Sequence, residues 1–115
     1  MRMILDGMGG DLAPASVVEG AVLALKEMEH EIVFVGQKEL IEQELKKYTY
    51  DKNRISIVDA REVISNDEAP VRAVRSKKDS SIVKGINMVK SGEGDIFISA
   101  GSTGALLSGG LFILG

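Results

Sequence analysis

Residues able to do chemistry gather in three short segments. The first is Asp6-Gly7-Met8-Gly9-Gly10-Asp11, the second is the basic run Arg72, Arg75, Lys77 and Lys78 followed by Asp79-Ser80-Ser81, and the third is Ser99-Ala100-Gly101-Ser102-Thr103-Gly104. Glycines lack Cβ, so a ligand can reach the backbone closely and positive φ costs little, while Ser102 and Thr103 carry hydroxyl donors. A Lys and Arg cluster in an otherwise acidic chain attracts anions. The shared chemistry is the holding of an anion such as phosphate. Each segment also has a purely structural reading: Gly and Ser turn a corner and cap a helix, Asp11 caps one helix, Asp79 or Ser80 caps the next, and the basic run is a solvated helix end. Asp6 has a stronger claim, because a carboxylate at a strand's carboxyl end points into the crevice where α/β sheets bind ligands. There it could hold a metal, orient a ligand or act as a base.

These segments need a scaffold that brings them to one edge. Met3 to Leu5 is a short apolar strand ending at Asp6. After Pro14, which suits a first helical turn, Val17, Ala21, Ala24, Leu25 and Met28 recur at helical spacing. Glu31 to Gly36 reads as a second strand, followed by a charged helix with Leu40, Ile41, Leu45 and Tyr48 on one face, and Ile55 to Val58 as a third strand. Arg61 to Ala69 shows little periodicity and is expected to be an excursion before Pro70 restarts the chain. From Ser81, the positions Ile82, Val83, Ile86 and Val89 predict a helix that Gly92 stops. Asp95 to Ile98 then reads as a buried strand leading through the small-residue loop into a helix from Thr103. That helix is apolar nearly all round and needs cover on several sides. The βα rhythm predicts a doubly wound, mainly parallel sheet with helices on both faces and both glycine loops at its carboxyl edge. His30, the lone histidine, falls at the opposite edge and is a poor catalytic candidate.

Composition narrows the classes. The 115 residues make one α/β domain or a piece of one, 44% hydrophobic but only 4% aromatic, so the core must be aliphatic. Absence of Cys excludes a disulfide scaffold, a thiolate metal site and a Cys acyl-enzyme, and fits a reducing, cytoplasmic location. A net charge of -3 argues against nucleic acid as a partner. After Gly7 the spacing Gly9-Gly10 lacks the third glycine of G-x-G-x-x-G, which makes a dinucleotide-dependent dehydrogenase a weak reading. No secretory pattern is visible at the start, and the longest apolar run is about half of the roughly 20 residues of a membrane-spanning helix. A soluble chain is expected, with peripheral membrane contact left open. On these grounds a non-catalytic phosphate- or nucleotide-binding module stands as the alternative to an enzyme.

Asp6-Gly7-Met8-Gly9-Gly10-Asp11-Leu12-Ala13-Pro14, Lys77-Lys78-Asp79-Ser80-Ser81 and Ser99-Ala100-Gly101-Ser102-Thr103-Gly104-Ala105, taken together in order and spacing, resemble the amino-terminal part of the fatty acid/phospholipid synthesis family PlsX, the phosphate acyltransferases. The resemblance runs the whole length of the chain, whereas members of that family are considerably longer. Two departures are visible: Leu12 stands where the family often has His or Asn, and Ser102 where Asn is common. The resemblance implies a fold similar to isocitrate and isopropylmalate dehydrogenases, a homodimer, and transfer of a fatty acyl group from acyl carrier protein to inorganic phosphate with no cofactor or metal. In that setting Asp6, Lys77 and Lys78 are the candidate catalytic side chains, and Gly9, Gly10, Asp11, Gly101, Ser102, Thr103 and Gly104 the candidate phosphate-binding residues.

Overall fold

The computed structural model describes residues Met1–Gly115. Four strands, β1 (Arg2–Asp6), β2 (Glu31–Gly36), β3 (Ile55–Asp59) and β4 (Ile96–Ile98), form one sheet in the order β3-β2-β1-β4 with every pairing parallel. The helices are α1 (Ala15–Leu25), α2 (Lys38–Leu45), α3 (Pro70–Ser76), α4 (Ser81–Lys90) and α5 (Thr103–Gly109), which runs on into a π-helical turn at Gly110–Leu114. The expected doubly wound arrangement is present. The chain steps outward from β1 to β3, then crosses back to place β4 on the other side of β1. Strand order therefore reverses between β1 and β4, the switch point at which open α/β sheets leave a crevice.

Strand alternation divides the core between two layers. Met3, Leu5, Ile32, Phe34, Ile55 and Ile57 turn toward α1 and α2 and meet Val18, Val22, Leu25, Ile41 and Leu45. Ile4, Val33 and Val35 turn the other way, onto Met88 of α4. Ile82, Val83 and Ile86 of α4 then join Ala73 and Val74 of α3 and Ala105 of α5. The Arg54 guanidinium, just before β3, donates to the carbonyls of Leu25, Met28 and His30, which satisfies the end of α1 and the turn behind it. At its far end α4 closes in a Schellman turn: Glu93 N-H donates to Met88 O at 2.9 Å, Gly92 N-H donates to Val89 O at 3.2 Å, and Gly92 adopts φ +83.

Four expectations need correction. The buried stripe of α1 is Val18, Ala21, Val22 and Leu25 rather than the stripe through Val17 and Ala24. The segment is apolar nearly all round, so two phases fitted, and packing on the sheet chose between them. Leu40 of α2 is exposed, the buried pair being Ile41 and Leu45. Asp11 caps nothing: α1 begins four residues later, with Pro14 at its N-cap and no side-chain cap. The strand read as buried, β4, lies at the sheet edge, where Ile96 and Ile98 are 41% and 47% exposed and only Phe97 is packed. The apolar final helix exposes Leu107, Leu111, Phe112 and Leu114.

Candidate functional site

The loops that follow β1 and β4 meet at the switch point, and Asp6 ties them together. Its side chain is 3% exposed. Oδ1 accepts from Met8 N-H at 3.0 Å and Oδ2 accepts from Ser99 O-H at 2.7 Å, while Ser99 Oγ itself accepts from Gly101 N-H at 3.0 Å. One carboxylate thus braces the first glycine loop directly and the second through a serine. The loops touch so closely that a Cβ built on Gly9 would lie 2.8 Å from Gly101 N and 2.9 Å from Asp6 Oδ2. Gly10, beside it, has φ +98, a conformation that side-chain-bearing residues rarely adopt.

Above this latch opens a cleft of about 320 Å³, lined by Asp6, Met8, Gly9, Gly10 and Asp11 from the first loop and Ala100, Gly101 and Ser102 from the second. The excursion supplies a third wall, Val63 to Asn66, and the start of α4 a fourth, Ser81 and Ile82. The excursion is held in place by Lys77, whose Nζ donates to Val63 O at 3.0 Å and pairs with Glu68 at 2.8 Å, and by a parallel bridge between Glu62 and Ser80.

Of the residues singled out from sequence, Asp6, Gly9, Gly10, Asp11, Gly101 and Ser102 come together in this cleft, while Lys77, Lys78, Thr103 and Gly104 do not line it. Ser102 is buried and is the N-cap of α5, its Oγ accepting from Ala105 N-H at 3.2 Å. Thr103 is exposed. Gly104 has a packing reason to be glycine, since a Cβ there would lie 2.6 Å from Pro70 Cγ of α3. Sequence reasoning assigned no role to Ser99, Ser81 or the excursion wall. Both serines stood inside the segments already singled out, and the signal that they carry is adjacency to a strand end and to a helix start.

Charge around the cleft is largely paired. Glu68 is held below the usual carboxylate range, first by the hydrogen bond from Lys77 and then by Ser65 N-H. Asp79 is lowered in the same sense by the bond from Lys84 and then by Arg61 N-H, and Glu39 by the guanidinium of Arg61. Lys77, Lys84 and Arg61 are thereby each committed to a carboxylate. Lys78 is exposed and makes no ion pair, and Arg75 stacks over the Phe112 ring at 5.4 Å. No group of three His, Cys, Asp or Glu side chains converges as a metal site would require. The lining itself carries two carboxylates, Asp6 and Asp11, and no Lys or Arg; what it offers an oxyanion is the start of α4, serine hydroxyls and backbone N-H groups around a small polar space.

The family model described as "Fatty acid synthesis protein" matches residues 1–115. Among curated proteins, the chain is 53% identical over 115 residues to the phosphate acyltransferase of Clostridioides difficile strain 630 and 56% identical to that of Clostridium kluyveri strain ATCC 8527, in each case covering all of this chain and 34% of the relative. The phosphate acyltransferase of Halothermothrix orenii is 51% identical over 116 residues, of which the chain covers 35%. The chain spans about a third of the length of these relatives.

Proposed function

The chain belongs to the fatty acid synthesis protein family, and from that premise we propose that the protein carrying it is a phosphate acyltransferase. It moves a fatty acyl group from acyl carrier protein thioester to inorganic phosphate, giving acyl phosphate for phospholipid synthesis. The observation that carries this reading is the oxyanion-suited cleft at the β1/β4 switch point, walled by two glycine loops and the start of α4. In the reaction a phosphate oxygen attacks the thioester carbonyl, a C-O bond forms and the C-S bond breaks, and the carrier sulfur leaves as a thiol with the proton that the phosphate P-OH gives up. Such a transfer needs phosphate held in line with the carbonyl and donors aimed at the oxyanion, and it needs neither a protein nucleophile nor a metal. The donors this cleft offers are the N-H of Ile82 at the start of α4 and the hydroxyls of Ser81 and Ser102, the N-H groups of Met8, Gly9 and Gly101 being already bonded to Asp6 and Ser99. The committed carboxylate of Asp6 keeps the two loops at their spacing.

We assign the enzyme to the cytoplasm, as a homodimer with peripheral membrane contact. The exposed Leu107, Leu111, Phe112 and Leu114 support an apolar contact, and no helix of the chain is long and apolar enough to cross a membrane. A second reading, a phosphate- or nucleotide-binding module without catalysis, is favoured by one observation: both Asp6 oxygens and the Lys77 ammonium already have protein partners. Incubating the full-length protein with acyl carrier protein thioester and phosphate separates the two. Hydroxylamine-trappable acyl phosphate that depends on phosphate is expected, and phosphate binding with no such product overturns the enzyme reading.

A further inference from the structure

Ser81 is a side chain for which packing and capping give no account. It is 2% exposed and lines the cleft. Its neighbour Ser80 is spent as the cap of α4, accepting from Val83 N-H at 3.2 Å, whereas the Ser81 hydroxyl has no hydrogen-bond partner in the protein. A buried hydroxyl left unpaired is costly, and no buried side-chain polar atom of the chain is both sealed from solvent and unpartnered. The Ser81 hydroxyl therefore reaches the cleft. It stands at the first position of α4, a helix of ten residues. The N-H of Ile82, also a lining residue, lies in the first turn, where N-H groups have no carbonyl partner within the helix, and the positive end of the helix dipole lies at the same place.

We propose that inorganic phosphate is seated at the start of α4, by the Ser81 hydroxyl and the Ile82 N-H, facing the Gly9-Gly10 and Gly101 backbone across the cleft. The second glycine loop offers less than its composition suggests, because Thr103 and Gly104 lie off the cleft; Ser102, whose Oγ accepts from Ala105 N-H, keeps only its O-H to donate. Asp6 does not oppose the anion with a bare charge, since Met8 N-H and Ser99 O-H occupy its two oxygens. The inference rests on the phosphate acyltransferase reading and gives that reaction a phosphate-binding residue.

The test uses the full-length protein with Ser81→Ala, and the volume-matched pair Ser81→Thr and Ser81→Val should Ala disturb folding. Loss of a hydrogen bond to a charged ligand should raise the phosphate KM on the order of tenfold to a hundredfold. The thioester KM and the melting midpoint stay near wild type. Thr, which keeps the hydroxyl, should retain the low phosphate KM that Val loses. An unchanged phosphate KM in Ser81→Ala and Ser81→Val overturns the seat. The melting midpoint with and without phosphate supplies a second readout independent of turnover. If wild type shows no acyl transfer, yet phosphate raises its midpoint and not that of Ser81→Ala, the seat stands and the acyltransferase reading falls. An equal rise in both proteins overturns the seat.

Discussion

Asp6 Oδ2 accepts a 2.7 Å hydrogen bond from the hydroxyl of Ser99, 93 residues along the chain, and this bond joins the loop after β1 to the loop after β4. If Asp6 is chiefly this brace, Asp6→Ala removes two hydrogen bonds to a charged group, and the full-length protein should lose roughly 3 kcal/mol of stability. Ser99→Ala should cost about 1 to 2 kcal/mol, and a double-mutant cycle should show a coupling above about 0.5 kcal/mol. Denaturant midpoints measure all three. A general base makes another forecast: Asp6→Asn would keep its stability while turnover fell by about 10² to 10⁴. That outcome would replace the brace with a catalytic role.

Gly104 faces Pro70 across the α3 and α5 contact, so Gly104→Ala should force the two helices apart and cost about 1 to 3 kcal/mol with the phosphate KM unchanged. Thr103→Val should alter neither quantity appreciably, because Thr103 is exposed and Ser102 holds the cap. Phosphate kinetics and melting midpoints of both variants decide the matter. A rise in phosphate KM for a folded Gly104→Ala protein returns the phosphate cradle to residues Gly101 to Gly104.

Lys77 and Glu68 set a pH dependence whose sign is fixed. The folded-state pKa of Glu68 is lowered, chiefly by its bond from Lys77, so the favourable contribution is present above the unfolded value of about 4.3 and is lost as pH falls through the lower folded value. Asp79 and Glu39 follow the same sign through Lys84 and Arg61. Wild type should exceed Lys77→Gln in stability near neutral pH, and the gap should narrow below about pH 4.3. High salt should shrink it as well, the pair being partly exposed. A gap that stays constant from neutral pH to pH 3 would show that Lys77 acts through its bond to Val63 O instead.

Asp11 is exposed on the lip of the cleft. Phosphate near neutral pH keeps a P-OH that can donate to a carboxylate, whereas sulfate has no proton to give. Asp11→Asn should therefore let sulfate compete with phosphate several-fold better than it does in wild type, by removing the repulsion of an unprotonated anion. Inhibition constants for sulfate in the two proteins are the measurement, and equal values would leave Asp11 as a solvated loop residue.

What the sequence determined by itself was the alternation of elements and the edge at which they deliver their loops. Apolar runs ending in Asp6, Gly36 and Asp59, with helical spacing between them, admit a parallel sheet with its loops at one edge, because each crossover returns the chain in the same direction. It also marked both glycine loops, since few residues other than glycine tolerate the approach of Gly9 to Gly101 or the φ of Gly10. Tertiary structure decided the phase of α1, which the near-continuous apolar run from Val17 to Leu25 left open, and the edge position of β4, which a short apolar strand does not disclose. It also decided which polar residues share the cleft. Ser102 and Ser81 are both serines beside a helix start, yet one accepts the capping bond of its helix and the other makes no hydrogen bond within the protein. Lys77 looked like a free cation until the excursion placed Glu68 against it. In each case the difference lies in partners distant along the chain, and local pattern carries no information about which side chains a crossover brings within hydrogen-bonding distance.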